Sequence, residues 1–221
     1  GGIIVPPDSY FPRIREICDQ YDVLLVSDEI ITGFGRTGKM FGLEHWGIEP
    51  DILQFAKGIT SGYFPLGGIG LSDPVASVIE AADSPFLHAY TYNGHPVGCA
   101  VALANIALIQ REGLVEQAAE KGRHLMDRLQ NAFTAHPHAG DLRGKGLMCA
   151  VEFVANRETK ASFAAEKKIG ARIHAETQKR GLFSRVRGDS FFLAPPLTTD
   201  FTELDRVVDV LVESTTEILG R

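Results

Sequence analysis

Cysteine is scarce: Cys18, Cys99 and Cys149 are odd in number, widely spaced and set in apolar contexts. That excludes a disulfide framework and predicts reduced core thiols of a cytosolic protein, hence a cytoplasmic location. Basic runs longer than a few residues are absent, and the formal net charge is -6. Both argue against nucleic acid or an anionic membrane as partner. Long hydrophobic runs are missing too. The longest nearly apolar stretch, Cys99 to Ile109, is too short to span a bilayer. Nothing at the start reads as a signal peptide, and neither an internal repeat nor a low-complexity tract is found. A metal is not expected either: the His136–His138 pair, with Asp141 nearby, lacks a third well-spaced ligand and reads as solvent-exposed.

What is present fits a globular chain. The 221 residues allow one large domain or two small ones, and a hydrophobic share of 44% supports a sizeable core. The start, Gly1-Gly2-Ile3-Ile4-Val5, has no methionine and enters as if mid-sheet, so an upstream segment is expected. Asp8 or Ser9 can cap a helix to about Tyr21, with Ile14, Ile17, Cys18 and Tyr21 on one face. Val23–Ser27 and Asp51–Ala56 are short, branched and apolar, so both read as buried strands of a parallel sheet. A short strand over 67–72, a helix over 73–82, and a helical stretch from about 97 to 133, broken near Gly113, follow. Beyond lie strand material over 142–154, an amphipathic helix over 161–180 and a hairpin joined through Arg187-Gly188-Asp189. A last helix over 200–219 directs Phe201, Leu204, Val207, Val208 and Leu211 inward. Residues 1–113 thus read as the remainder of a large α/β domain, and 114–221 as a small α+β domain.

The chemistry gathers at two strand ends. The first run leads into Asp28-Glu29 and the second into Lys57, which opens the loop Lys57-Gly-Ile-Thr-Ser-Gly62. In open α/β sheets ligands bind at the carboxyl edge of the strands. A lysine there, partly dried by apolar neighbours, can lose its proton and attack a carbonyl. A carboxylate on the same edge can keep a heterocycle nitrogen protonated. That pair is what pyridoxal phosphate chemistry needs. Strand alternation sends Asp28 and Glu29 to opposite sides. Between the two strands, Gly33, Gly35 and Gly38 mark an irregular loop. The stretch from Phe86 to Pro96 is aromatic, polar and aperiodic, as functional loops are.

Longer motifs point to a family. Leu25-Val-Ser-Asp28-Glu-Ile30-Ile-Thr-Gly-Phe-Gly-Arg36-Thr-Gly38, then Pro50-Asp-Ile-Leu-Gln-Phe-Ala-Lys57-Gly58, resembles the signature of class III aminotransferases, the omega-transaminase-containing branch of fold-type I pyridoxal phosphate enzymes. Tyr90-Thr91-Tyr92-Asn-Gly-His95-Pro96, Arg143-Gly-Lys-Gly-Leu-Met148, Arg185-Val-Arg-Gly-Asp189 and Ala194-Pro-Pro-Leu197 match as well, in order along the chain. The family's polypeptide is longer at its amino end, where its phosphate-cradling glycine loop and ring-stacking aromatic lie. The resemblance implies a Schiff base between Lys57 and pyridoxal 5′-phosphate, with Lys57 also moving the substrate α-proton. It implies that Asp28 holds the pyridine nitrogen protonated and Ile30 packs against the inner ring face. Thr91 would bind the cofactor phosphate of the neighbouring subunit of a homodimer with shared active sites. Arg185 would clamp a substrate carboxylate, with Arg187 as the competing choice. His95 is expected to order its loop, Arg36 to brace the glycine loop or a subunit contact, and Trp46 and Tyr63 to line the entrance.

These roles imply transfer of an amino group from an amine or omega-amino acid to a keto acid, pyruvate foremost. Two rivals stand beside it. An aminomutase or decarboxylating relative would use the same cofactor, and a truncated, catalytically silent subunit would bind without turning over.

Overall fold

A computed structural model describes residues 2–220, which divide into two units. The first holds Pro6–Glu116. Its helix α1 (Tyr10–Gln20) starts at Ser9, whose side chain makes no cap hydrogen bond, contrary to the expected capping. No residue of α1 is buried; the face carrying Ile17 and Tyr21 is exposed. Phe11 instead meets Trp46, ring centroids 4.8 Å apart.

Strands β1 (Val26–Asp28), β2 (Ile52–Phe55) and β3 (Gly68–Leu71) form one sheet in that order. β1 and β2 are parallel with Asp28 opposite Gln54, and β3 returns antiparallel to β2. The parallel pairing agrees with the sequence; the expected burial of β1 does not. β1 is an edge strand among the described residues, so Val26 is 48% exposed and Val23 and Leu24 are exposed as well. Helix α2 (Asp73–Ala81) follows β3, and α3 (Pro96–Arg111) begins directly after His95. Gly113, at φ +59, supplies the left-handed residue that breaks the long helical stretch.

The second unit joins residues 2–5 to the chain from Gln117 onward. Helix α4 (Leu114–Phe133) carries most of its length here. Strands β4 (Ala139–Lys145), β5 (Met148–Phe153), β6 (Arg185–Arg187) and β7 (Ser190–Leu193) make an antiparallel sheet ordered β4-β5-β7-β6. Helices α5 (Ile169–Lys179) and α6 (Phe201–Leu219) complete it. Leu125 and Leu129 of α4, Val151 and Phe153 of β5, Phe191 of β7, Ile173 of α5, and Leu204 and Leu211 of α6 share one fully buried core. Each such side chain stabilises the fold by about 1.5–3 kcal/mol. Asp200 caps α6 by accepting from the Glu203 N–H at 2.8 Å, and Glu203 reaches back to the Asp200 N–H.

The remaining differences have local causes. The helix expected over 161–180 forms only from Ile169, because Lys168 sits at φ +46 and Ala161 bridges to Asn156. Phe201 lies in the first turn of α6, beyond the core, and stays partly exposed, unlike Leu204 and Val208. Of the cysteines only Cys149 is a core thiol; Cys99 is exposed and Cys18 half-buried. His136 and His138 are half-buried rather than exposed, since their rings bond the Gly220 and Val154 carbonyls at 3.3 and 2.9 Å. Among the described residues, no single helix is long and apolar enough to cross a membrane, although the bent α3–α4 pair together reaches that length and composition.

Candidate active site

The two acids after β1 have opposite fates. Glu29 is 2% exposed. Its carboxylate accepts the backbone N–H groups of Gly42 at 2.8 Å and Leu43 at 2.9 Å, the Ser27 hydroxyl at 3.3 Å, and the Thr32 hydroxyl. Four donors saturate it, so it fastens the loop from Thr32 to Leu43 onto the strand end. Asp28 is exposed. One of its oxygens takes the Ile30 N–H at 3.0 Å, and the other has no partner among the described residues. Of the two acids, Asp28 alone has an oxygen to offer a ligand. The local bond also turns the chain at Ile30, which is half-buried in a turn, so strand alternation does not carry to that residue.

Lys57 lies just past β2, beside the strand that ends in Asp28. Its side chain is exposed, so the drying expected of a reactive lysine is not supplied by these residues. Its backbone is unusual: φ is +45, with Ser61 at +49 and Phe34 at +59 nearby. Such left-handed residues cost about 1–3 kcal/mol each and persist where their surroundings over-determine them. Here the surroundings are visible. A Cβ added to Gly58 would lie 2.9 Å from the Phe34 Cβ and 3.3 Å from the Gly33 carbonyl, so only glycine lets the two loops touch. Thr60 donates to the Phe64 carbonyl at 2.6 Å. From α3, the Asn105 amide donates to the Gly58 and Ile59 carbonyls at 2.8 and 3.1 Å and accepts from the Ser61 hydroxyl at 2.8 Å. Neither Asn105 nor the bracing role of Glu29 was found from sequence; a lone Asn inside an apolar helix was the signal for the first.

Thr91 is exposed in the loop preceding α3, beside Leu87 at 88% and Tyr92 at 79% exposure. His95 orders that loop's end: its ring accepts the Gly98 N–H at 3.5 Å and lies 5.0 Å from the Phe64 ring. Tyr63 is exposed on the Lys57 loop. In the second unit, Arg185 and Arg187 are both exposed on β6, at the hairpin closed by Gly188 and Asp189.

A family model described as aminotransferase class-III matches residues 1–214. The chain belongs to the class III aminotransferase family. Among curated relatives of this family, the diaminobutyrate–2-oxoglutarate transaminase of Halomonas elongata is 44% identical over 94% of this chain and 45% of its own length. The putrescine–pyruvate aminotransferase of Pseudomonas aeruginosa is 42% identical over 94% of this chain and 45% of its own. The crystal structure of a thermostable (S)-enantioselective omega-transaminase from Thermomicrobium roseum superposes with a TM-score of 0.95. It shares 45% identity over 99% of this chain and 48% of that one. The chain therefore spans about half the length of the curated relatives it matches. The likeness makes its architecture that of fold type I, and class III aminotransferases depend on pyridoxal phosphate. The donor set fits that group: a primary amine for an aldehyde, and beside it a carboxylate with an open oxygen for a ring nitrogen.

Proposed function

We propose that the protein carrying this chain is a pyridoxal phosphate-dependent aminotransferase. It moves an amino group from an amine or omega-amino acid to a keto acid, with pyruvate as acceptor. One observation carries the site assignment: Glu29 is saturated, while Asp28 and Lys57 keep open functional atoms at the ends of two hydrogen-bonded parallel strands. The cofactor, when bound, supplies an electron sink for the substrate α-carbon. Asp28 holds a proton at the ring nitrogen through its uncommitted oxygen. Lys57 Nζ would hold the cofactor through its aldehyde group, and the lysine amine would carry the proton taken from the substrate α-carbon. Ile30 would pack against the ring. Arg185 receives a substrate carboxylate in its planar fork.

The apolar exposure around Thr91 supports a homodimer in which this loop reaches the phosphate of the neighbouring subunit's cofactor. Relatives named for putrescine with pyruvate and for diaminobutyrate with 2-oxoglutarate support the donor and acceptor classes. The buried Cys149 thiol and the absence of a cysteine pairing pattern favour a reducing, cytoplasmic setting. Residues 1–113 and 114–221 are assigned to the large and small domains of the enzyme, apart from residues 2–5, which pack with the second unit.

The test is the visible absorption spectrum of the full-length protein with pyridoxal phosphate. A yellow band that fades on adding an amino donor, and that Lys57→Ala lacks, is expected. A band that survives in Lys57→Ala, or no band in the parent protein, overturns the assignment.

A further inference from the structure

From outside the loop, the Asn105 side chain bonds the carbonyls of two successive peptides, those of Gly58 and Ile59. Its orientation is forced. Two carbonyls can only accept, so the amide nitrogen must face them, and the amide oxygen is left for the Ser61 hydroxyl. Three bonds from one side chain thus converge on residues 58–61, just after the left-handed Lys57. Gly58 also rests closely against Gly33 and Phe34. α3 is itself held at its start. The Phe64 ring covers Gly98, where a Cβ would approach within 2.7 Å, and lies beside His95. The helix that delivers Asn105 is therefore fixed to the far end of the same loop.

From this geometry we propose that Asn105 is a positioning residue for Lys57. It locks the loop in the backbone conformation from which the lysine amine reacts, without itself meeting substrate. The proposal rests on the reading of Lys57 as the reactive amine. Its chemistry is backbone restraint. Removing the amide leaves the Gly58 and Ile59 carbonyls unpaired and lets Lys57 relax out of its left-handed state.

The experiment compares Asn105→Asp, Asn105→Gln and Ser61→Ala in the full-length protein. Asn105→Asp keeps the shape but turns both donors into acceptors, whereas Ser61→Ala removes only the third bond. The first readout is borohydride trapping of pyridoxal phosphate followed by peptide mass analysis. Failure to label Lys57 in the parent protein sinks the Lys57 reading and the proposal with it, whereas a labelled Lys57 with an unmoved Asn105→Asp variant sinks the proposal alone. The second is hydrogen exchange without cofactor at the Ile59, Thr60 and Tyr63 amides, which close the loop's turns. The third is the single-turnover rate with an amino donor. Asn105→Asp is expected to speed exchange at those amides and not in β2, to keep Lys57 labelling, and to slow the single turnover about 10- to 100-fold. Asn105→Gln recovers part of that rate, and Ser61→Ala loses less than about 3-fold. Unchanged exchange, or a rate within about 2-fold of the parent, overturns the proposal. If Asn105→Asp does not fold, Asn105→Gln decides: selective loosening of residues 58–63 supports the role, and parent-like exchange removes it.

Discussion

Arg15 reaches from α1 to Asp51 at 2.8 Å, and the same Asp51 oxygen takes the Leu25 N–H at 2.7 Å. One carboxylate thus ties a helix, the lead-in to β1 and the start of β2. The Arg15 guanidinium, then the Leu25 N–H, hold the Asp51 carboxyl below the usual carboxylate range. A depressed folded-state value stabilises the fold above the unfolded carboxylate value of about 3.9 and loses that stability as pH falls through the lower folded one. The parent protein is therefore expected to lose stability below about pH 4 more steeply than Asp51→Asn, in urea titrations taken from pH 6 to pH 2. Parallel curves would remove Asp51 from the account.

Glu29 and Asp28 are expected to separate folding from chemistry. Glu29→Gln places an amide against donors it cannot satisfy, at a buried position. It should cost about 2–4 kcal/mol in denaturant unfolding. Asp28→Asn, exposed and with a single local bond, should stay within about 0.5 kcal/mol of the parent while losing amine turnover.

Lys57→Gly eases a left-handed residue. It should hold or raise the melting temperature while abolishing the half-reaction, because glycine carries no penalty at that φ. A lowered melting temperature would mean that the lysine stem, rather than its backbone, is what the loop needs.

Gly170 is a helix residue at which alanine should be harmful. Its Cβ would fall 2.2 Å from the Gly188 carbonyl, against backbone that cannot step aside, and its N–H already bonds Asp189 at 2.8 Å. Gly170→Ala is expected to destabilise by about 1–3 kcal/mol, opposite in sign to the usual helix substitution. By displacing the hairpin that carries Arg185, it should also raise KM for carboxylate-bearing donors more than for simple amines. Arg185→Ala should show the same selectivity with no loss of stability; equal losses for both donor types would count against the carboxylate role.

Strand and helix order were readable from sequence because apolar runs and periodicity are local properties. The Gly188 hairpin and the Gly113 break were readable because glycine marks them. What sequence missed depends on neighbours. The exposure of β1 reflects its place at the sheet edge, not its composition. The helix start at Ile169 reflects Lys168 and the Asn156–Ala161 bridge. Motif order singled out Lys57, Asp28, Thr91 and Arg185 as candidates. The saturation of Glu29 and the Asn105 clamp required contacts spanning 13 to 47 residues, which no local pattern reports.

The two sheets differ in how they meet a stray strand. The outer strands of the second unit carry charge along their length: Asp141, Arg143 and Lys145 on β4, Arg185 and Arg187 on β6. Charge on a border repels a foreign β-segment. β1 and β3, the outer strands of the first sheet among the described residues, instead present Val26 and Ile69 to solvent. Produced as these 221 residues, the protein should aggregate through its first sheet, with β1 as the template and the second unit still folded.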